Sequence, residues 1–483
     1  MTTTHEVPSD LRVEGFRTRR SAGLGGLSKS VTMMAAAVLS AEGIIATQIP
    51  VSLLVTLPVT LVVFALAAAR RHGMPALAYY WARTSWRRAA RSEATAYRRV
   101  LLPYPYALDL PGVGASSSLI KAMDPATGRS VGVVHDRVTG HMTLTTLLAP
   151  GGSLMAPTSA VRGSIRTWSA VLDAMSTDEQ IKGAAVTIQI TPGAGEALGD
   201  DVARRKRASA PKLARDTIDE LVRTTPHATA SVAPWMCVTV DPNATVDRPV
   251  DLHEQVAEAL RVADTLDLSG TGTDILRRAT DVDLRRLVRS AFDPDTFHAR
   301  DELFADLSWA ECGPQAADEG YLEYAHDGGV SVSLVLREMP RRPIAYSVLL
   351  PLLSPGRFQR RITLAYRVLD PHEGEAVLER EISNAEQIAQ ATAEVKGRAK
   401  WSQKADYQRA EKAAAQVASG AQVVDWTLMV TTTARSTQEL PAARQELERA
   451  IKAMRGIRMR PAFGAQAAVF CAGLPLGYNP LVK

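Results

Sequence analysis

A few stretches of this chain come close to patterns that carry chemistry. Gly112-Val113-Gly114-Ala115-Ser116-Ser117 has the small residues of a phosphate-cradling loop. It lacks the lysine that would reach the phosphates, and GxxxxGK[ST] occurs nowhere, so a turn before a strand is the better reading. Gly193-Ala194-Gly195 is a loop and not a dinucleotide fingerprint. His253-Glu254 begins like a zinc-protease helix, but Ala257 stands where the second histidine should be. There is no GxSxG nucleophile elbow. His135 and Asp136 adjoin in a strand, which points them to opposite faces. Cys237, Cys312 and Cys471 are far apart, odd in number and form no CxxC pair, so they read as small buried hydrophobes of a reducing compartment. No catalytic residue, metal ligand or cofactor is expected, and the chain reads as a non-enzyme.

Charge is unevenly placed. Residues 1–100 hold 13 Lys or Arg against 5 Asp or Glu, whereas the remainder holds 43 against 46. The basic character therefore belongs to the N-terminal fifth and fits an anionic surface there better than a nucleic-acid footprint on the body. Aromatic residues are 5%, few for stacking platforms. The run Arg204-Arg205-Lys206-Arg207 reads as a solvated helix face, with DNA contact as its alternative.

The basic residues flank an apolar run, 30–69, whose one charged residue is Glu42. Its length suits a two-helix transmembrane hairpin at about 30–47 and 51–69, turning near Thr47-Gln48-Ile49-Pro50. Arg17, Arg19, Arg20 and Lys29 precede it; Arg70, Arg71, Arg83, Arg87, Arg88 and Arg91 follow it. Such flanks favour the inside, which implies a two-pass inner (plasma) membrane protein with both termini cytoplasmic. Glu42 would face a partner helix or reach water. Residues 77–99, with Tyr79, Tyr80, Trp81 and Trp86 among arginines, read as an interfacial helix touching membrane lipid. The membrane or interface candidates are thus Glu42, Trp81, Trp86, Arg70, Arg71, Arg87, Arg88 and Arg91.

Beyond Pro103, Pro105 and Pro111 the pattern alternates strands and helices. Strands are expected at 130–135, 141–148, 183–190 and 230–241, and helices at 157–176, 199–224, 250–265 and 272–291. A connector covers 292–328. Strands at 330–338, 343–352 and 358–369 follow, then a long helix over 375–418, a strand at 422–432, a helix at 436–454 and a last strand at 461–470. The fold class is α+β with an N-terminal transmembrane hairpin and two mixed antiparallel-sheet and helix units. The segments are a tail (1–29), the hairpin (30–69), a basic aromatic helix and linker (70–112), unit 1 with its helical connector (113–329) and unit 2 (330–483).

This arrangement resembles a family of actinobacterial membrane proteins from integrative conjugative elements. The first 100 residues resemble the small two-helix inner-membrane subunit of type IV secretion. The body resembles the non-catalytic N-terminal domain of the conjugation ATPase, on Lys404-Ala405-Asp406-Tyr407, Ser419-Gly420, Val423–Thr431, Ser436–Leu440, Gln466-Ala467-Ala468-Val469-Phe470 and Leu474-Pro475-Leu476-Gly477. The nucleotide-binding domain that follows in that family is missing here. The resemblance implies a non-hydrolysing structural subunit that docks a separate ATPase and other membrane subunits, with self-association open. A two-helix membrane component of type VII secretion, a membrane-anchored DNA-binding protein and a tethered enzyme are the alternatives; nucleic acid is not expected on the body.

Overall fold

The computed structural model describes residues 69–99, 110–149, 156–193, 209–224, 230–340, 343–396, 401–418 and 422–482, with 12–13, 202, 205–207 and scattered positions between 37 and 62. Among the described residues thirteen strands form one sheet. In chain order they are β1 (Ala96–Arg98), β2 (Ser117–Met123), β3 (Ser130–Asp136), β4 (Met142–Ala149), β5 (Ile181–Pro192), β6 (Ala230–Val240), β7 (Asp274–Arg278), β8 (Ala316–Glu319), β9 (Tyr324–His326), β10 (Gly329–Glu338), β11 (Gln359–Val368), β12 (Val424–Ala434) and β13 (Arg458–Pro461). The main helices are α1 (Ala76–Arg91), α2 (Thr158–Thr177), α3 (Lys212–Thr224), α4 (Leu252–Asp264), α5 (Asp281–Phe292), α6 (Pro371–Lys396), α7 (Trp401–Ala418), α8 (Leu440–Ala453) and α9 (Gln466–Ala472). The spatial order is β1-β8-β9-β10-β12-β11-β5-β6-β4-β3-β2, with β7 also on β4 and β13 also on β10.

That order contains a duplication. From the central β5–β11 pair outward, one half runs β5-β6-β4-β3-β2 and the other β11-β12-β10-β9-β8. The correspondence reaches single residues. Gly183 pairs with Thr239 as Gln359 pairs with Thr433, and Thr145 pairs with Cys237 as Ser333 pairs with Thr431. After β7 the amide of Ala279 donates to the Thr145 carbonyl (2.8 Å), and after β13 that of Ala462 donates to the Ser333 carbonyl (3.1 Å). Each half then closes with a helix, α5 or α9. The pseudo-two-fold axis falls on the antiparallel pair Thr187 and Thr363, whose hydroxyls are 2.9 Å apart.

Strand alternation gives the sheet two unlike faces. On one, Leu144, Met236 and Val238 pack against Val171 and Met175 of α2 and Val256, Ala259 and Leu260 of α4. On the same face of the second half, Val332, Ile362, Leu428 and Val430 pack against Leu440, Ala443 and Leu447 of α8. The apolar stripes of α4 and α8 recur at helical spacing, which is why these segments fold as helices on this face. Asp251 caps α4 by accepting from the Glu254 amide, and Thr280 with Asp283 forms a capping box on α5.

The other face carries buried hydroxyls. Thr143 bonds Thr239 (3.1 Å), Ser331 bonds Thr433 (2.8 Å) and Ser333 bonds Thr431 (2.9 Å). Short α5 and α9 cover this layer. Gln466, fully buried at the start of α9, accepts from the Ser333 amide (2.7 Å) and donates to the Ala462 carbonyl (2.9 Å). Within it Arg361 is 4% exposed, stacks 4.3 Å over the Phe470 ring, and has neither Nη1 nor Nη2 hydrogen-bonded. Burial pulls its pKa down to about 9. His326 lies nearby, bonded to the Phe292 carbonyl (2.6 Å) and to Ser331 Oγ (2.9 Å). Burial holds its pKa down at about 4, and Arg361 acts in the same direction.

Several sequence expectations are corrected. No helix among the described residues is long and apolar enough to cross a membrane. This overturns the transmembrane hairpin of 30–69, and with it the two-pass inner-membrane placement with cytoplasmic termini. Most of that run lies outside the described residues, and its described helical positions are 37–38, 40–44, 47, 58, 60 and 62. Hydropathy sums side chains, whereas spanning requires one unbroken helix of about 20 residues. Residues 274–278, expected within a helix, form β7 because β4 offers them a free edge. The expected last strand is split into β13 and α9, and the expected strand at 343–352 is a two-residue strand followed by helical turns. The supposed connector contains β8 and β9, which extend the sheet.

Two stability measurements follow. A buried, unpaired cation is a net cost, so Arg361→Met should raise the unfolding free energy in urea by about 1–3 kcal/mol; a lower value would show that the charge has a native partner. Because the folded pKa of His326 lies below its unfolded value, its contribution is complete above about pH 6.5 and is lost as pH falls toward 4. His326→Gln should remove up to about 3 kcal/mol of that slope in urea titrations between pH 7 and pH 4.

Candidate functional site

Five of the eight membrane or interface candidates, Trp81, Trp86, Arg87, Arg88 and Arg91, lie on α1. A short hairpin, Arg70–Arg71 against Met74–Pro75, leads into it and turns through His72 and Gly73, both at positive φ. Pro75 stands at the N-cap, and the Ala76 amide donates to the Ala69 carbonyl (2.8 Å). Arg88 and Arg91 lie in the last turn, where cations complement the helix dipole.

One face of α1 is bound to the body through rings. Tyr79 is buried and meets the rings of Phe463 (5.3 Å, edge-on), Tyr321 (6.4 Å) and His72 (5.7 Å). One helical stripe further, Trp86 is half-buried against Tyr321 (5.4 Å). Gly464, at φ +61°, lets the backbone pass beside it, and a Cβ there would sit 3.3 Å from the indole. The guanidinium of Arg71 lies 5.1 Å over Tyr79 and that of Arg83 5.9 Å over Tyr321. Burial, then the neighbouring Tyr79, pushes the Tyr321 phenol up to about 12.

The opposite face is open. Trp81 is 71% exposed and Tyr80 49% exposed, and Arg87, Arg88 and Arg91 are exposed. At 100° per residue these side chains share one arc of the helix. Aromatic surface set among exposed cations suits recognition of an acidic partner surface.

Trp81, Arg87, Arg88 and Arg91 thus come together on the open face, whereas Arg71 and Trp86 belong to the clasp. Arg70 lies in the hairpin that leads into α1. Glu42 stands apart: the Thr60 hydroxyl donates to its carboxylate, which gives it a partner within the chain. Arg204 lies outside the described residues, and Lys206 of that run donates to Asp219 (2.6 Å). Tyr321, Phe463 and His72 were not legible as site residues. Tyr321 and Phe463 lie in turns beside Gly320 and Gly464, far along the chain from α1, and no local periodicity marks them.

The remaining chemical candidates hold structural positions. Burial pushes the Cys237, Cys312 and Cys471 thiols up to about 12, which keeps them as thiols at neutral pH. Ser117 donates to the Gly114 carbonyl (2.6 Å) and accepts from Trp309 Nε1 (3.1 Å), so the small-residue loop is used in packing. Asp136 accepts from the Val138 amide (2.9 Å) and caps its hairpin turn. Among the described residues no group of His, Cys, Asp and Glu could hold a metal ion.

No protein-family model and no curated protein matches this chain.

The clasp should carry the attachment of α1. Tyr79→Ala should lower stability by about 2–4 kcal/mol, as for other large buried rings, and should speed proteolysis at residues 92–99. Trp81→Ala should stay within about 0.5 kcal/mol of the native value, as surface changes do. Equal losses for both variants in urea titrations would contradict the assignment of the two faces.

Proposed function

We propose that the chain is a non-catalytic structural subunit of a bacterial conjugation or type IV-like secretion complex, and that it docks a separate ATPase. The observation that carries this reading is the open face of α1. The helix that carries its arginines and exposed tryptophan is fastened to a large body by the ring clasp beneath it. A docking subunit needs such a preorganised, charged recognition surface, which sets orientation and encounter rate. The duplicated sheet supplies the stiff platform, and the α6–α7 helices offer a further extended surface. The resemblance of residues 395–477 to the non-catalytic part of the conjugation ATPase gives the reading its particular machine.

The test is affinity purification of the full chain from its native host after mild crosslinking, with mass spectrometry of the eluate. An ATPase bearing a Walker motif is the expected companion. A chain carrying Arg87→Gln, Arg88→Gln and Arg91→Gln together should stay folded by circular dichroism, losing only the small dipole contribution of Arg88 and Arg91, and recover that ATPase at least about tenfold less well. An eluate without an ATPase, or equal recovery by the variant, would remove the proposed docking.

A further inference from the structure

A cleft of about 610 Å³ opens at one corner of the first half. There the chain after β7 wedges between β3 and β4: Gly132 donates to the Ala279 carbonyl (2.9 Å), and Ala279 to that of Thr145 (2.8 Å). The floor is Val131, Leu144, Val238, Leu266 and Leu268, all buried in the first-half core. Ile275 and Leu276 stand in its wall, 48% and 61% exposed.

The polar wall carries three arginines against two carboxylates, Asp124 and Asp264. Arg129, Arg277 and Arg278 line the cleft. Asp283 holds Arg277 through both terminal nitrogens, and Asp264 holds Arg278 through Nη2. Asp124 is taken up by its own turn, accepting from the Ala126 amide (2.9 Å) and the Thr127 hydroxyl (3.0 Å). Two buried atoms of this wall have no hydrogen-bond partner: Arg278 Nη1 and Ser130 Oγ. Both can donate, and each is costly to leave unmet in an interior.

The second half shows that the cleft is no by-product of the duplicated topology. In place of 265–273, which supplies Leu266 and Leu268, it has the shorter connection 454–457, where Met454 and Ile457 are buried in the core. Pro461 stands where Arg278 stands, since Leu334 pairs with the one as Thr146 pairs with the other. The longer connection thus supplies Leu266 and Leu268 to the floor, and Arg278 replaces the proline on the wall.

We propose that this cleft binds a single amphipathic anion, a free long-chain carboxylate. Its chain lies on the aliphatic floor, and its carboxylate meets Arg278 and Ser130, with Arg129 at the rim. The volume falls among those of small-molecule pockets. A floor that reaches the core, with unmet donors on one wall, matches one tail and one head better than a flat peptide surface.

The experiment is isothermal titration of the full chain with dodecanoate below its micellar concentration, beside dodecyl maltoside as the uncharged comparator. Dodecanoate should bind saturably at one site and the comparator at least about tenfold more weakly, the difference being one charge-assisted hydrogen bond. Arg129→Gln should weaken dodecanoate binding about threefold to tenfold, as expected for a rim cation. Leu266→Trp, which fills the floor, should abolish it. Circular dichroism reports whether Leu266→Trp folds, and Arg129→Gln, an exposed change, decides the matter if it does not. Absence of saturable heat, equal binding of the comparator, or binding unchanged in the folded variants would overturn the proposal.

Discussion

The antiparallel contact between β5 and β11 is the constraint on which the rest of the molecule depends. It joins strands whose central threonines are 176 residues apart in the chain. Its register is held from both sides of the sheet. On one face Val186, Ile188, Ile362 and Leu364 pack into the two aliphatic cores; on the other Thr187 and Thr363 bond to each other. A slip of one residue would turn hydroxyls into the aliphatic cores and aliphatic groups into the polar layer, so one register alone satisfies both. Once it is set, each half extends outward by the same pairings.

The polar layer is what this arrangement requires of its covering elements. The hydroxyls bond one another across the strands, and α9 adds Gln466, whose side chain serves both the amide of Ser333 and the carbonyl of Ala462. Satisfied networks of this kind favour one arrangement over competing packings. Arg361, a buried guanidinium stacked on Phe470, is one of several exceptions within it, with Gln359 Oε1 and Tyr324 Oη also lacking a hydrogen-bond partner. The two halves have diverged around a shared frame: Leu287 closes over Trp235 and Cys237 in one, and Phe470 packs with Phe292 and Tyr324 in the other.

The surfaces proposed as functional are both additions to that frame. α1 precedes the duplicated body and is fastened to it by Tyr79 and Trp86 against Tyr321 and Phe463, which leaves its basic face outward. Part of the cleft's floor, Leu266 and Leu268, comes from the longer connection after α4. Differences between the two halves of this kind are the expected place for specificity on a repeated scaffold.

What the sequence by itself determined is the set of elements whose signal lies between near neighbours. The alternation in 130–148 and 424–434 and the helical stripes of α4 and α8 are properties of residues two to four positions apart, and these segments folded as their spacing implied. The basic aromatic character of α1 was legible for the same reason. Tertiary structure decided the rest. Asp274-Ile275-Leu276-Arg277-Arg278 suits a helix locally and becomes a strand on the edge of β4; Gln466–Ala472 suits a strand and becomes the helix that covers the hydroxyls. The apolar run at 30–69 shows the limit from the other side, since composition counts side chains and does not measure an unbroken helix. The same holds for the site. The arginines of α1 could be named from their charge, but Tyr321 and Phe463 could not, because a ring contact between distant turns leaves no periodic trace in the chain.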